Sequence, residues 1–177
     1  AWAASYAALT IVEAQQTGRT GREITQKAFS PLFPYYYSTN TETNKNCEEV
    51  VSIAQILKAM KQYGTTRYVD LPVRCITHSP ASKINLASRN KLSEYARLFD
   101  VTDNESTKIK SIKTTLADNL PVVVAMHVGK SFDYAKEFWR PREEYSDNLP
   151  GQALCVVGYD DNKFGGAFEV MNSRGTE

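Results

Sequence analysis

The stretch Gly151-Gln-Ala-Leu-Cys-Val-Val-Gly-Tyr159 decides the fold class of this 177-residue chain. Its centre, residues 153–157, is an apolar run of strand length, and the polar residues 160–163 that follow are typical of a turn. Residues 122–128 and 167–171 are also rich in β-branched or aromatic residues and bounded by turn residues. We therefore expect strands at residues 122–128, 154–159 and 167–171.

The residues before these strands follow a helical pattern instead. Trp2, Tyr6, Leu9 and Glu13 recur at helical spacing with alanines between them, and residues 48–63 form an amphipathic pattern that Gly64 ends. Residues 108–119 also predict a helix, whereas residues 92–101 fit either a strand or a short helix. This order predicts an α+β fold, with residues 1–90 as a helical lobe and residues 91–177 as a β-rich lobe of one domain.

Composition and charge exclude several classes of function. The net charge is +1, so no overall field attracts nucleic acid, and no apolar run approaches the ~20 residues that a membrane span needs. The chain opens directly on a helical pattern and stops just after a strand, so we expect it to be part of a longer protein. Residues 129–150 form a long polar connection, which is often a functional loop.

Three cysteines are present. Cys155 lies within an apolar run and is expected to be a buried free thiol. Cys47 and Cys75 lie at the edges of loops and are candidates for a disulfide, although spacing alone leaves the pairing open. A disulfide there would indicate an oxidising compartment.

Five segments, in this order, resemble the papain family of cysteine peptidases. Ala1-Trp-Ala-Ala, with Tyr-Ala-Ala shortly after it, resembles the Cys-Trp-Ala-Phe-Ala opening of the family's central helix. Ser30-Pro-Leu-Phe-Pro-Tyr-Tyr36 resembles its Ser-Pro/Glu-Gln-x-Leu-x-Tyr segment, and residues 110–125 resemble the helix and Gly-Pro-Val strand. Residues 151–159 resemble Gly-His-Ala-Val-x-x-Val-Gly-Tyr, and residues 167–176 resemble the strand that ends in Asn-Ser-Trp-Gly-Thr. The resemblance implies two lobes, a long central helix in the first, a half-barrel in the second and a cleft between them.

The same resemblance assigns roles to individual positions, and most of them carry an unsuitable residue. The nucleophile's position is Ala1, whose methyl group cannot attack a carbonyl, and the general acid/base position is Gln152, whose amide does not exchange protons near neutral pH. Asn172 stands where the family has the asparagine that orients the histidine. Arg174 stands in place of the tryptophan that shields it from water. The glutamine that donates to the oxyanion would precede Ala1.

Other residues of the chain are poor substitutes on the sequence alone. Ser5 lies one helical turn after Ala1 but has no base, and Cys155 lies three residues past Gln152, on the opposite face of a strand. The two histidines are His78, in an irregular segment, and His127, at a strand end, where a partly buried or surface histidine is the expected role.

The substitutions allow two explanations. An experimenter who replaces a catalytic cysteine leaves the histidine and tryptophan intact, so three altered positions favour natural loss of the site. We therefore expect an inactive papain-like domain, not an enzyme, that binds a polypeptide along Trp2, Gly151, Gln152 and Arg174 or serves a structural role in a larger assembly. The alternative is a papain-type cysteine endopeptidase with an inactivated active site. No cofactor or metal is expected. The candidate disulfide leads us to expect an extracytoplasmic, secreted or cell-surface location. The segment Ser30–Tyr36 resembles bacterial members of the family, so we also expect a bacterial source.

Overall fold

The computed structural model describes residues 1–39, 46–72, 75–76 and 78–173. A continuous helix opens the chain: a π-helical segment, Trp2–Leu9, runs directly into α1, Thr10–Thr17. We call these two segments the central helix. It ends where Gly18 adopts a left-handed conformation, with φ of 65°, which glycine reaches without steric cost.

The remaining elements follow along the chain. The α-helices are α2 (Arg22–Gln26), α3 (Leu32–Tyr36), α4 (Ile53–Tyr63), α5 (Ile84–Ala87) and α6 (Glu105–Ala117). The 3₁₀ turns are Tyr68–Asp70, Ala81–Lys83, Ser88–Asn90, Lys130–Tyr134 and Lys163–Gly165. The strands are β1 (Val122–His127), β2 (Gly151–Asp160) and β3 (Ala167–Met171).

Helix α4 begins later than its apolar pattern predicts. The Ser52 hydroxyl accepts from the Gln55 backbone N–H at 3.2 Å, and the Gln55 side chain accepts from the Ser52 N–H at 2.8 Å. This reciprocal capping box fixes the start at Ile53, so the predicted helical residues 48–52 lie outside the helix. Gly64 ends α4 with φ of 82°, as predicted.

The three strands form one antiparallel sheet in the order β1-β2-β3. In the first pair, Val123 lies opposite Cys155, Ala125 opposite Ala153 and His127 opposite Gly151. The three predicted strands and the α+β class are therefore confirmed, and α6 confirms the predicted helix at residues 108–119. Residues 91–100 contain neither helix nor strand, so that prediction was wrong.

Each face of the sheet packs against different elements. On one face, Cys155 forms a buried cluster with Ala3 and Ala7 of the central helix, and Val123 and Ala153 pack against that cluster. On the other face, Val122 and Val156 pack against Ile112 of α6. Small side chains on the central helix allow it to lie close to the sheet.

The central helix also packs against α4. Ala4 forms a buried cluster with Ile56 and Met60, and Ala1 and Val123 pack against the same cluster. The central helix therefore lies between the sheet and α4, and this arrangement fixes the position of its first residue.

Candidate functional site

The first turn of the central helix holds the candidate nucleophile position. Ala1 is partly buried, and its carbonyl accepts from the Ser5 backbone N–H at 2.9 Å. Backbone N–H groups at such a helix start point outward and favour developing negative charge, which suits an oxyanion or a thiolate. The methyl group of Ala1 carries no negative charge for these N–H groups to stabilise.

Ser5 is anchored beneath this turn and does not act as a substitute nucleophile. Its side chain is fully buried, and its hydroxyl donates to the Ser30 carbonyl at 2.7 Å. Thr65 donates to the same carbonyl at 2.8 Å. These bonds tie the central helix to residues 28–30 and 65–67, which are themselves joined by an isolated bridge between Phe29 and Arg67.

Cys155 is equally unsuited to catalysis. It has no exposed surface, and burial raises the pKa of its thiol to about 11. The free thiol expected from the sequence is therefore present and stays protonated at neutral pH.

The start of β2 carries the predicted acid/base position. Gly151 is exposed and Gln152 is partly buried, and they lie opposite His127 and Met126 of β1. Directly paired residues share a face of the sheet, and successive residues alternate. His127 and Gly151 therefore belong to the face that carries Ala125, Ala153 and, further along, the Cys155 cluster with the central helix.

His127 is held in one orientation at the end of β1. Its Nδ1 lies 2.7 Å from the Leu149 carbonyl oxygen, and its ring meets the Tyr145 ring edge-on at 5.7 Å between centroids. The Tyr145 hydroxyl donates to an Asp147 carboxylate oxygen at 2.5 Å. The sequence predicted only a surface or partly buried histidine here, because nothing in it shows that residues 145–149 fold back against the ring.

A network around Glu143 holds the first part of the loop that follows β1. Glu143 accepts from the Ser131 backbone N–H at 2.7 Å and from the Ser131 hydroxyl at 2.6 Å, and Trp139 Nε1 donates to that hydroxyl oxygen at 3.0 Å. The hydrogen bonds that Glu143 accepts, that of the Ser131 hydroxyl first, lower its pKa to about 2. Because Gly129 lacks a Cβ, the carboxylate can approach it closely.

The other predicted site residues have separate surroundings. The Trp2 ring is 39% exposed and packs against the rings of Tyr6 and Tyr68, with centroids 5.2 and 6.1 Å away. Asn172 is exposed and directly follows β3. Arg174 lies outside the described residues, so its predicted place in the cleft stays a prediction.

The candidate disulfide is formed in the structure, where Cys47 and Cys75 are bonded with Cα atoms 5.7 Å apart. Across the described ranges, no group of three or more His, Cys, Asp or Glu residues is placed to hold a metal ion. Within the same ranges, no helix has the length and apolar character needed to cross a membrane.

Comparison with known proteins identifies the fold. No family model matches the sequence, and the search of curated proteins found no match. Among solved structures, the chain is similar to xylellain, a cysteine protease from Xylella fastidiosa, with a TM-score of 0.69 and 22% identity. The match covers 98% of this chain and 67% of xylellain, which supports the papain-like fold that the sequence predicted.

This match contradicts the expectation that the chain is not an enzyme. Nearly the whole chain has the fold of a cysteine protease. The expectation rested on Ala1 and Gln152, whereas the predicted surface position of His127 is confirmed by its exposure. The strand pairing instead places His127 directly across from the neighbour of Gln152, so the loss of an imidazole at one position does not remove imidazole from this end of the sheet.

Proposed function

We propose that this chain is the peptidase domain of a papain-type cysteine endopeptidase whose nucleophile position, Ala1, holds it in an inactivated form. The observation that carries the proposal is the likeness of 98% of the chain to a cysteine protease. The partly buried start of the central helix supports it, because this is where such an enzyme needs its thiolate.

The substrate in this proposal is an extended polypeptide. It lies in a cleft between a helical lobe, residues 1–90, and a β-rich lobe, residues 91–177. Trp2, Gly151 and Gln152 line that cleft. The exposed backbone at Gly151 and the exposed part of the Trp2 ring suit contacts with a peptide main chain and an apolar side chain. Backbone N–H groups at the helix start stabilise the oxyanion of the tetrahedral intermediate.

The test restores the missing sulfur. Ala1→Cys is expected to cleave a panel of fluorogenic peptides, and a thiol-directed inhibitor should abolish the cleavage. Ala8→Cys is the matched control, because Ala8 lies in the same helical segment and is also partly buried. Cleavage by neither variant, with both folded by circular dichroism, would refute the proposed activity, and equal cleavage by both would refute the role of position 1.

We also propose an extracytoplasmic location, secreted or at the cell surface. The Cys47–Cys75 disulfide supports it, because disulfides persist in oxidising compartments. Thiol labelling of the denatured protein taken directly from its cells should modify Cys155 alone, and reduction beforehand should expose all three cysteines. Labelling of all three without reduction would contradict this location.

A further inference from the structure

A cysteine peptidase needs an imidazole, and this chain contains only two histidines, His78 and His127. Gln152 cannot serve, since its amide neither accepts nor releases a proton at neutral pH. His78 is exposed and lies outside every helix and strand, three residues after Cys75. Whether this site has a catalytic imidazole therefore depends on where the fold places His127.

The sheet places His127 on the face that packs against the central helix. Val123, Ala125 and His127 alternate onto this face of β1, and Val123 packs against the same cluster as Ala1. The partner of His127 is Gly151, which has no side chain to cover the imidazole from across the strand pair. The ring is exposed at the same end of β2 as the family's acid/base position.

The hydrogen bond to Leu149 fixes which nitrogen is available. A carbonyl oxygen only accepts, so Nδ1 carries the proton in the 2.7 Å contact, and the neutral ring keeps its lone pair on Nε2. A histidine that acts as a general base has this arrangement, with one nitrogen fixed by an acceptor and the other facing the reactants. The edge-on ring of Tyr145 limits rotation of the imidazole further.

We infer that His127, and not residue 152, is the catalytic imidazole of this site, an inference that rests on the proposed peptidase function. Nε2 takes the proton of a thiol at position 1, and the thiolate forms a C–S bond with the substrate carbonyl carbon. As the C–N bond breaks, Nε2 returns this proton to the departing amine. Nε2 then takes a proton from water, whose oxygen forms a bond to the carbonyl carbon. As the C–S bond breaks, Nε2 returns the proton to the sulfur, which releases the carboxylic acid and restores the thiol.

A carboxylate is joined to the ring through Tyr145. The ring's described neighbours are the Leu149 carbonyl and Tyr145, whose hydroxyl donates to the Asp147 carboxylate. The hydrogen bond from Tyr145 to Asp147 raises the pKa of the Tyr145 hydroxyl, so that group stays neutral.

The experiment measures alkylation of the thiol in Ala1→Cys by iodoacetamide across pH, which reports the thiolate without requiring peptide cleavage. A thiolate paired with imidazolium should persist in acid, so the alkylation rate at about pH 5 should stay within about threefold of the rate at neutral pH. Adding His127→Asn should lower the rate at about pH 5 at least tenfold, because Asn retains an N–H for the Leu149 carbonyl but has no group equivalent to Nε2. The matched control His78→Gln, made in Ala1→Cys, should leave the rate within about twofold.

The outcomes separate this inference from the peptidase proposal. An acid-stable thiolate that depends on His127 supports the inference even if no peptide in the panel is cleaved. Peptide cleavage that survives His127→Asn supports the peptidase proposal and overturns the inference, as does an alkylation rate at about pH 5 that His127→Asn leaves unchanged. His127→Gly with added free imidazole gives a second readout, since recovery of the acid-stable alkylation requires the ring itself and a merely structural role would not produce it.

Discussion

Gly64→Ala should destabilise the fold far more than the same change at another glycine with positive φ. Gly64 ends α4 at φ 82° and ψ −159°, a region that is essentially restricted to glycine and costs other residues roughly 1–3 kcal/mol. A Cβ at this position would lie 1.9 Å from the Ala87 carbonyl oxygen and 2.7 Å from its carbonyl carbon. Both are backbone atoms, so relief of the overlap requires residues 84–90 to move away from α4.

The expected cost is the sum of these two effects. Backbone strain and the displaced backbone together should lower the free energy of unfolding by about 3–5 kcal/mol, a range that single substitutions reach only through a specific structural conflict. Gly18→Ala is the matched control, because Gly18 also has positive φ, 65°, but a Cβ there meets nothing within 4 Å. Its left-handed conformation alone should cost about 1 kcal/mol.

Urea unfolding followed by circular dichroism measures both variants against the parent chain. The difference between them, about 2–4 kcal/mol, isolates the contact between α4 and residues 84–90. If the free energies of unfolding of Gly64→Ala and Gly18→Ala differ by less than about 1 kcal/mol, the close approach of α4 and residues 84–90 is refuted. Unchanged m-values would confirm that the comparison reports stability and not altered compactness.

Three other predictions address charge and reactivity. The folded-state pKa of Glu143 is about 2, against 4.5 when unfolded, so the stability that its hydrogen bonds provide is present above pH 4.5 and is lost as the pH falls toward 2. Trp139 fluorescence during acid titration, in the parent chain and in Glu143→Gln, measures this loss of stability. Arg67→Met should lower the free energy of unfolding by about 1–2 kcal/mol and Arg19→Met by less, because Arg67 also donates to the Lys27 carbonyl; urea unfolding of both tests the order. Cys155 in the native protein should resist thiol reagents at neutral pH and react after denaturation, since burial raises the pKa of its thiol.

The regular elements were predictable where one residue pattern determined the structure. The strands β1, β2 and β3 and helix α6 follow apolar periodicity, and each was predicted to within a few residues. Residues 91–100 were not, because they carry apolar residues without regular spacing. Leu92, Leu98 and Phe99 instead cover clusters that other elements form; Leu98 and Phe99, for example, pack against the cluster that contains Ile112. Their conformation depends on those partners and not on local preference.

Contacts between distant residues could not be read from the sequence. Glu13 accepts from Arg67, 54 positions away, and from Arg19, and the two arginines together lower the pKa of Glu13, the Arg67 hydrogen bond most of all. The sequence contains many acidic and basic residues and gives no reason to choose these three. The candidate site had the same limit: motif positions identified Ala1 and Gln152, but only strand pairing placed His127 opposite Gly151, the neighbour of Gln152.

The packing around position 1 does not explain why the chain has an alanine there. Small residues recur along the first turns of the central helix because Ala3 and Ala7 pack against the sheet and Ala4 against α4. Ala1 is only partly buried, so the same packing does not require a residue as small as alanine at that position. A cysteine there adds one sulfur atom at a partly buried position, and the hydrogen bond from Ser5 to the Ser30 carbonyl does not involve the side chain of residue 1. For this reason Ala1→Cys can test the chemistry of the site separately from its folding, and a folded but unreactive variant would count directly against a peptidase.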